Sequence, residues 1–177
     1  MESVKFEGEL DSNRLIIYTS SDGKIVTPYN TDVFGANCIS NVYDTEKGYG
    51  TIVFDNDITS IGDYAFYKCK KLTSVTISDS VISIGKSAFY NCSSLASVTI
   101  PNNVTSIGSS AFEGCSSIAS VTIGNGVTSI GETAFGGCSS LETVNYRGTQ
   151  DQWEGIEIDT TNYELTSATI NYNYTGE

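Results

Sequence analysis

Four isoleucines, Ile61, Ile84, Ile107 and Ile130, stand 23 residues apart, and their surroundings repeat with them. Gly62, Gly85, Gly108 and Gly131 keep the same step, as do the pairs Ala65-Phe66, Ala88-Phe89, Ala111-Phe112 and Ala134-Phe135. Cys69, Cys92, Cys115 and Cys138 come next, then Leu72, Leu95, Ile118 and Leu141, then Val75, Val98, Val121 and Val144. A fixed period of this length, unbroken by any insertion, restricts the chain to a solenoid. Each unit is one coil that cannot bury its apolar face alone, and stacked coils share a core. Such a fold offers long regular surfaces instead of closing around a pocket, which favours binding of macromolecules over catalysis.

Within a coil, Val75-Thr76-Ile77, Val98-Thr99-Ile100, Val121-Thr122-Ile123 and Val144-Asn145-Tyr146 alternate apolar and polar residues. This is the period of a short strand with one face inward. Turn residues follow, such as Pro101-Asn102-Asn103 and Gly124-Asn125-Gly126, then a second apolar pair such as Val104 and Ile107. The repeated glycine is expected to supply a tight or positive-φ bend. The spacing of Ala111, Phe112, Cys115 and Ile118 predicts a short helical turn with the Phe rings forming an inner spine. The four in-phase cysteines predict a buried, reduced ladder, because parallel inward side chains are poorly placed to bridge; disulfides or a metal are the alternative.

The ends differ from the repeats. Ile52 and Phe54 match the strand positions of Val75 and Ile77, so a first strand is expected near residues 52–54. Further strands are expected near 75–77, 98–100, 121–123 and 144–146. Trp153 occupies the place of Ile130 one period on, and Leu165, Ala168 and Ile170 echo Leu141, Val144 and Tyr146, predicting a final strand near 168–170. Before the repeats, Arg14–Thr19 and Lys24–Pro28 read as two strands of a hairpin. The expected organisation is an N-terminal cap segment over residues 1–50, repeats over 51–146 and a C-terminal capping coil over 147–177.

Charge narrows the partners. With 21 acidic and 9 basic residues the net charge is −12, and between residues 72 and 143 the charged residues are only Asp79, Lys86, Glu113, Glu132 and Glu142. Nucleic acids and anionic membrane surfaces need a basic face, so neither is an expected partner. No run is long enough to cross a bilayer, and no secretory leader is visible behind Met1. The chain is therefore either cytosolic or a mature exported domain carrying an added start Met.

The pattern Cys-x-x-Leu-x-x-Val-x-Ile-x-x-x-Val-x-x-Ile-Gly-x-x-Ala-Phe, seen from Cys92 to Phe112, resembles the BspA-type leucine-rich repeats of surface proteins from Bacteroides-like anaerobes and some parasitic protists. Tyr18–Val26 resembles the lead-in of such proteins, and Tyr146-Arg147-Gly148-Thr149 with Gln152-Trp153 resembles their closing coil. The resemblance implies an α/β repeat fold. This is a right-handed leucine-rich-repeat solenoid with a one-sided parallel β-sheet and short helical turns opposite. It also implies an extracellular or cell-surface location and adhesion to protein, including host protein.

Chemistry is sparse. With no histidine, the chain has no Ser-His-Asp, Cys-His or Cys/His zinc arrangement. No catalytic residue, cofactor or metal ligand is assigned. Asp55, Asp57 and Asp63 could supply calcium oxygens, or form an ordinary solvated loop. Two surfaces are candidates for contact. One is the hydroxyl ladder of Ser74, Thr76, Ser97, Thr99, Ser120, Thr122, Thr143 and Asn145, which lacks the anchors that dominate interfaces. The other joins Tyr64, Tyr67 and Tyr90 with Lys68 and Lys71, near Lys70 and Lys86, and is the expected binding site for a protein or glycan. Three readings remain: an adhesive surface module, a structural spacer in a larger surface protein, and a carbohydrate-binding or carbohydrate-active protein.

Overall fold

The computed structural model describes residues 11–176. Between Ser60 and Asn171 the chain winds as a β-solenoid. One parallel ladder joins β7 (Ser97–Ile100), β9 (Ser120–Ile123), β11 (Thr143–Tyr146) and β13 (Thr169–Asn171). β5 (Leu72–Val75) stands before them and is tied on by the bond from Ala96 N to Thr73 O at 3.2 Å. A second ladder of two-residue strands runs alongside: β4 (Ser60–Ile61), β6 (Ser83–Ile84), β8 (Ser106–Ile107), β10 (Ser129–Ile130) and β12 (Glu157–Ile158). Each Ser-Ile pair lies opposite the next in register, so the isoleucine that marks the repeat is buried in every coil. This second ladder adds to the expected sheet without lengthening it.

The third side of each coil is not helical. In the first coil, three-residue turns close through Ala65 N to Gly62 O, Tyr67 N to Tyr64 O and Cys69 N to Phe66 O. The intervening N–H groups point to the next coil: Tyr64 N to Lys86 O at 2.9 Å, Phe66 N to Ala88 O at 2.6 Å and Lys68 N to Tyr90 O at 2.7 Å. A helix would direct all its N–H groups along its own axis and leave none for the neighbouring coil. The positive φ falls at Tyr64, Ser87, Ser110 and Thr133, two residues after the repeated glycine and not on it. That glycine serves close approach: a Cβ on Gly108 would lie 2.7 Å from Gly85 C and Lys86 N.

Phe66, Phe89, Phe112 and Phe135 form the predicted spine, with centroids 5.1–5.3 Å apart and rings within 15° of parallel. Stacking is imposed by the coil spacing, since in-register strands repeat at about 4.8 Å. Cys92, Cys115 and Cys138 are buried and free, and each thiol donates to the carbonyl of the preceding coil's Phe at 3.1–3.2 Å. Cys69 departs from the expectation and is only half-buried. The coil before it is missing, and its thiol reaches Thr27 O at 3.5 Å instead.

The N-terminal end corrects three expectations. β1 (Leu15–Ser20) pairs antiparallel with both β3 (Tyr49–Phe54) and β5, so it sits between the first two strands that match the repeat. The predicted strand at 52–54 therefore exists but stands outside the parallel stack. The strand expected at 75–77 ends at Val75, beyond which Thr76 N is taken by Ile17 O. Residues 24–28 form no strand. Ser20 Oγ bonds both the N–H and the carbonyl of Lys24, Pro28 offers no donor, and Tyr18 and Asn41 hold Val26 through their side chains. The hairpin partner of β3 is β2 (Cys38–Asp44), with Gly48 at φ 78° in the turn.

The C-terminal end closes the stack with side chains. Where an inner coil would offer backbone carbonyls, Thr161 Oγ1 accepts from Thr133 N at 2.7 Å, Asn162 Oδ1 from Phe135 N at 3.0 Å and Glu164 Oε1 from Gly137 N at 2.8 Å. Asn162 is fully buried and also donates to Gly131 O and Asp159 O, both at 2.9 Å. Two short helices, α1 (Gln150–Glu154) and α2 (Tyr163–Ser167), bury Trp153 and Leu165. Thr149 and Gln152 form a reciprocal cap on α1. Trp153 packs edge-on against Tyr146 with centroids 5.2 Å apart, whereas Ile158 takes the register position of Ile130. Likewise Ile170 pairs with Val144, two residues off the expected echo, because the helices lengthen this coil.

Replacing Asn162 by Ala strands one buried N–H and two carbonyls, and is expected to cost about 2–4 kcal/mol in urea unfolding. Trp153→Ala should cost about 3–5 kcal/mol by the same measurement. An unchanged midpoint in either variant would remove that residue from the closing role.

Candidate functional site

The first coil carries the aromatic–basic residues. Its turns place Tyr67 over Tyr90 of the second coil, stacked at 5.1 Å and 17°, as an outer counterpart of the Phe spine. Tyr64 meets Tyr67 edge-on at 5.5 Å, and Lys68 Nζ lies 5.0 Å from the Tyr67 ring centroid. All three tyrosines are half-buried, while Lys68 and Lys71 are exposed. Tyr64, Tyr67, Tyr90 and Lys68 thus come together as one cluster, with Lys71 on the adjoining wall. Tyr64 at φ 61° and Lys68 at φ 58° are bulky residues in left-handed turns, where later coils carry Ser, Thr, Asn or Gly. Such positions are disfavoured for large side chains by roughly 1–2 kcal/mol.

The structure adds residues that the periodicity did not reveal. Tyr29, 69% exposed, meets Tyr67 edge-on at 5.3 Å. The 21–33 segment crosses the open end of the first coil through Ser21 N to Lys71 O, Tyr29 N to Ala65 O and Gly62 N to Val33 O. Between this segment and the first coil lies a cleft of about 370 Å³ lined by Ile25, Tyr29, Tyr67, Lys68, Lys70 and Lys71, among others. The only available signal was composition, an exposed Tyr and Ile in a non-repeating stretch.

Cys69 also lines the cleft. Burial pushes its pKa from 9.0 to about 11. An activated nucleophile would need the opposite shift. The neighbouring Cys92 thiol and burial push Cys115 up, and burial foremost pushes Cys138 up.

The other candidates are engaged within the chain. Asp55 binds Asn37 through its N–H and side-chain amide, which hold its pKa below the ordinary carboxylate value. Asp57 pairs with Arg14 at 3.3 Å, and Asp63 accepts from Lys86 N at 2.7 Å. No group of three or more possible ligands gathers among the described residues. On the sheet face Thr19 of β1 bonds Thr73 and Ser74 at 2.6 Å and covers the start of the hydroxyl ladder, while Ser97 and Thr99 stay exposed. No described helix is long and apolar enough to cross a membrane.

Residues 38–155 match the BspA type leucine rich repeat region in six copies. Among solved structures, a leucine rich cell surface protein from Faecalibacterium prausnitzii A2-165 is 34% identical. The match covers 59% of this chain and 34% of that one, with a TM-score of 0.48. A leucine-rich repeat protein from Bacteroides ovatus is 33% identical over 67% of this chain and 27% of its own, also at 0.48. The Treponema pallidum repeat protein is 26% identical over 51% and 53%, at 0.45. The chain therefore spans about a third of the length of the first of these. No curated protein matches it.

At pH 8 the Cys69 thiolate should be about a hundredfold scarcer than that of an ordinary thiol with pKa 9.0, so alkylation should be slow and rise steeply with pH. Cys92, Cys115 and Cys138 should react only after unfolding. The folded state holds the Cys69, Cys115 and Cys138 thiols neutral, so the stability they contribute is retained below pH 9 and falls as pH rises above it. Fast Cys69 alkylation at neutral pH would contradict this environment.

Proposed function

Because the chain belongs to the BspA-type leucine-rich repeat family, we propose that it acts as a non-catalytic interaction module outside the cell, with the first coil as its contact surface. In this reading residues 51–146 carry the surface, and the segments at 1–50 and 147–177 cap it. The carrying observation is the Tyr64, Tyr67, Tyr90, Lys68 and Lys71 cluster, where bulky residues occupy left-handed turns that later coils give to small ones. The left-handed turn recurs in later coils at Ser87, Ser110 and Thr133, and the first coil differs in placing a large aromatic side chain there. Tyrosines bring large contact area with a polar tip, and an adjoining lysine row selects an anionic partner. The partner is a protein or glycan of a host or neighbouring cell.

The coils beyond the second favour the spacer alternative, because their corresponding positions are Ser, Thr, Gly or Glu and offer few anchors. One experiment separates the two. The Tyr67→Ser, Tyr90→Ser double variant should lose most attachment to immobilised host-cell and matrix proteins, and raised salt should weaken the wild type. Melting should change little. Undiminished attachment would move the site to the sheet face or the N-terminal segment. No attachment by the wild type would favour the spacer.

A further inference from the structure

On the turn side, carbonyls of each inner coil accept N–H groups from the coil before. Tyr90 O takes Lys68 N, Glu113 O takes Asn91 N and Gly136 O takes Gly114 N, at 2.7–2.8 Å. The first coil has no such predecessor. The crossing segment substitutes at two of its three acceptors: Tyr29 N and Asn30 N donate to Ala65 O, and Asn30 Nδ2 donates to Asp63 O at 3.4 Å. The third acceptor, Tyr67 O, receives no hydrogen bond from any described residue. Tyr67 lines the cleft. Beside it stand Lys68, Lys70 and Lys71, which take part in neither of the two ion pairs among the described residues. Opposite stand Ile25 and Tyr29, 52% and 69% exposed, and the one carboxylate of the lining, Asp22, against three lysines.

We propose that this cleft is a docking groove for an extended acidic segment of a partner protein. The segment donates a main-chain N–H to Tyr67 O, sets carboxylates against the three lysines and rests an apolar side chain on Ile25 and Tyr29. It thereby supplies the inter-coil hydrogen bond that the crossing segment does not, as main-chain pairing does when a peptide extends a sheet. Charge complementarity selects the occupant: the lysines form a local cationic wall on a chain of net charge −12. A peptide fits better than a sulfated glycan. A glycan's hydroxyls could also donate to Tyr67 O, but a densely sulfated chain has no apolar side chain to cover Ile25, which a peptide supplies. The inference rests on the reading of the first coil as the contact surface, and names the partner's chemistry.

Fluorescence anisotropy of the whole chain with a short labelled peptide of alternating Glu and Leu tests it. Saturable binding that weakens with salt is expected. Lys68→Glu with Lys71→Glu, and separately Ile25→Glu, should each weaken it at least about tenfold, equivalent to about 1.4 kcal/mol. Ser116→Glu, on the same side two coils away, should leave it unchanged, and thermal melts of each variant check folding. The same peptide with its amides N-methylated should bind more weakly. No saturable binding, equal binding of the methylated peptide, or tighter binding of a heparin oligosaccharide would each overturn the proposal. Attachment of the wild type to host proteins without peptide binding would overturn the groove and leave the contact surface standing. Peptide binding without attachment would leave the groove and the first-coil surface standing and remove host-cell and matrix proteins as its partners.

Discussion

The coils of this protein depend on hydrogen bonds that no coil can make within itself. In the turns, alternate N–H groups leave their own coil, as in Phe66 N to Ala88 O and Phe89 N to Ala111 O. Buried backbone groups without partners are costly, so a coil is stable only when what lies beside it presents acceptors at the same three places. One inserted residue would shift all of them at once. The unbroken spacing is thus a hydrogen-bonding requirement as much as a packing one. The same closeness leaves no room for a Cβ at Gly85 or Gly108, and it sets the Phe rings face to face.

That dependence makes the two ends special, and they meet it differently. At the C-terminal end oxygens from Thr161, Asn162 and Glu164 stand in for the absent coil, one for each orphaned N–H. At the N-terminal end the antiparallel β1 occupies the strand edge, and the loop around Tyr29 serves part of the turn side. The C-terminal closure is complete on the turn side. Among the described residues the N-terminal one leaves Tyr67 O without a donor, beside the aromatic cluster.

The parts legible in the sequence were those repeated in register. Ile61, Phe66, Leu72 and their equivalents are buried as their period implies, and β7, β9 and β11 fall within a residue of the expected strands. The Tyr67–Tyr90 adjacency was legible for the same reason, since stacking follows from one period. What occurs once left no such trace. The insertion of β1 between β3 and β5 depends on pairing across distant segments, and Lys24–Pro28 has strand composition without a ladder to join. Ile158 and Ile170 kept their roles while Trp153 and the helices changed the spacing between them. Tyr29 entered the cleft through a loop whose course no periodicity records.

Because the terminations rest on residues that occur once, the coils between them are interchangeable parts. Phe89 meets Phe66 and Phe112 in the same way, and Cys115 bonds Phe89 as Cys138 bonds Phe112. Removing or duplicating one whole 23-residue unit between them would leave both terminations with the neighbours they require. Unequal recombination within the gene would then yield shorter or longer proteins that fold, each carrying the same first coil at one end. Length could change across a lineage while the surface at that end stayed the same.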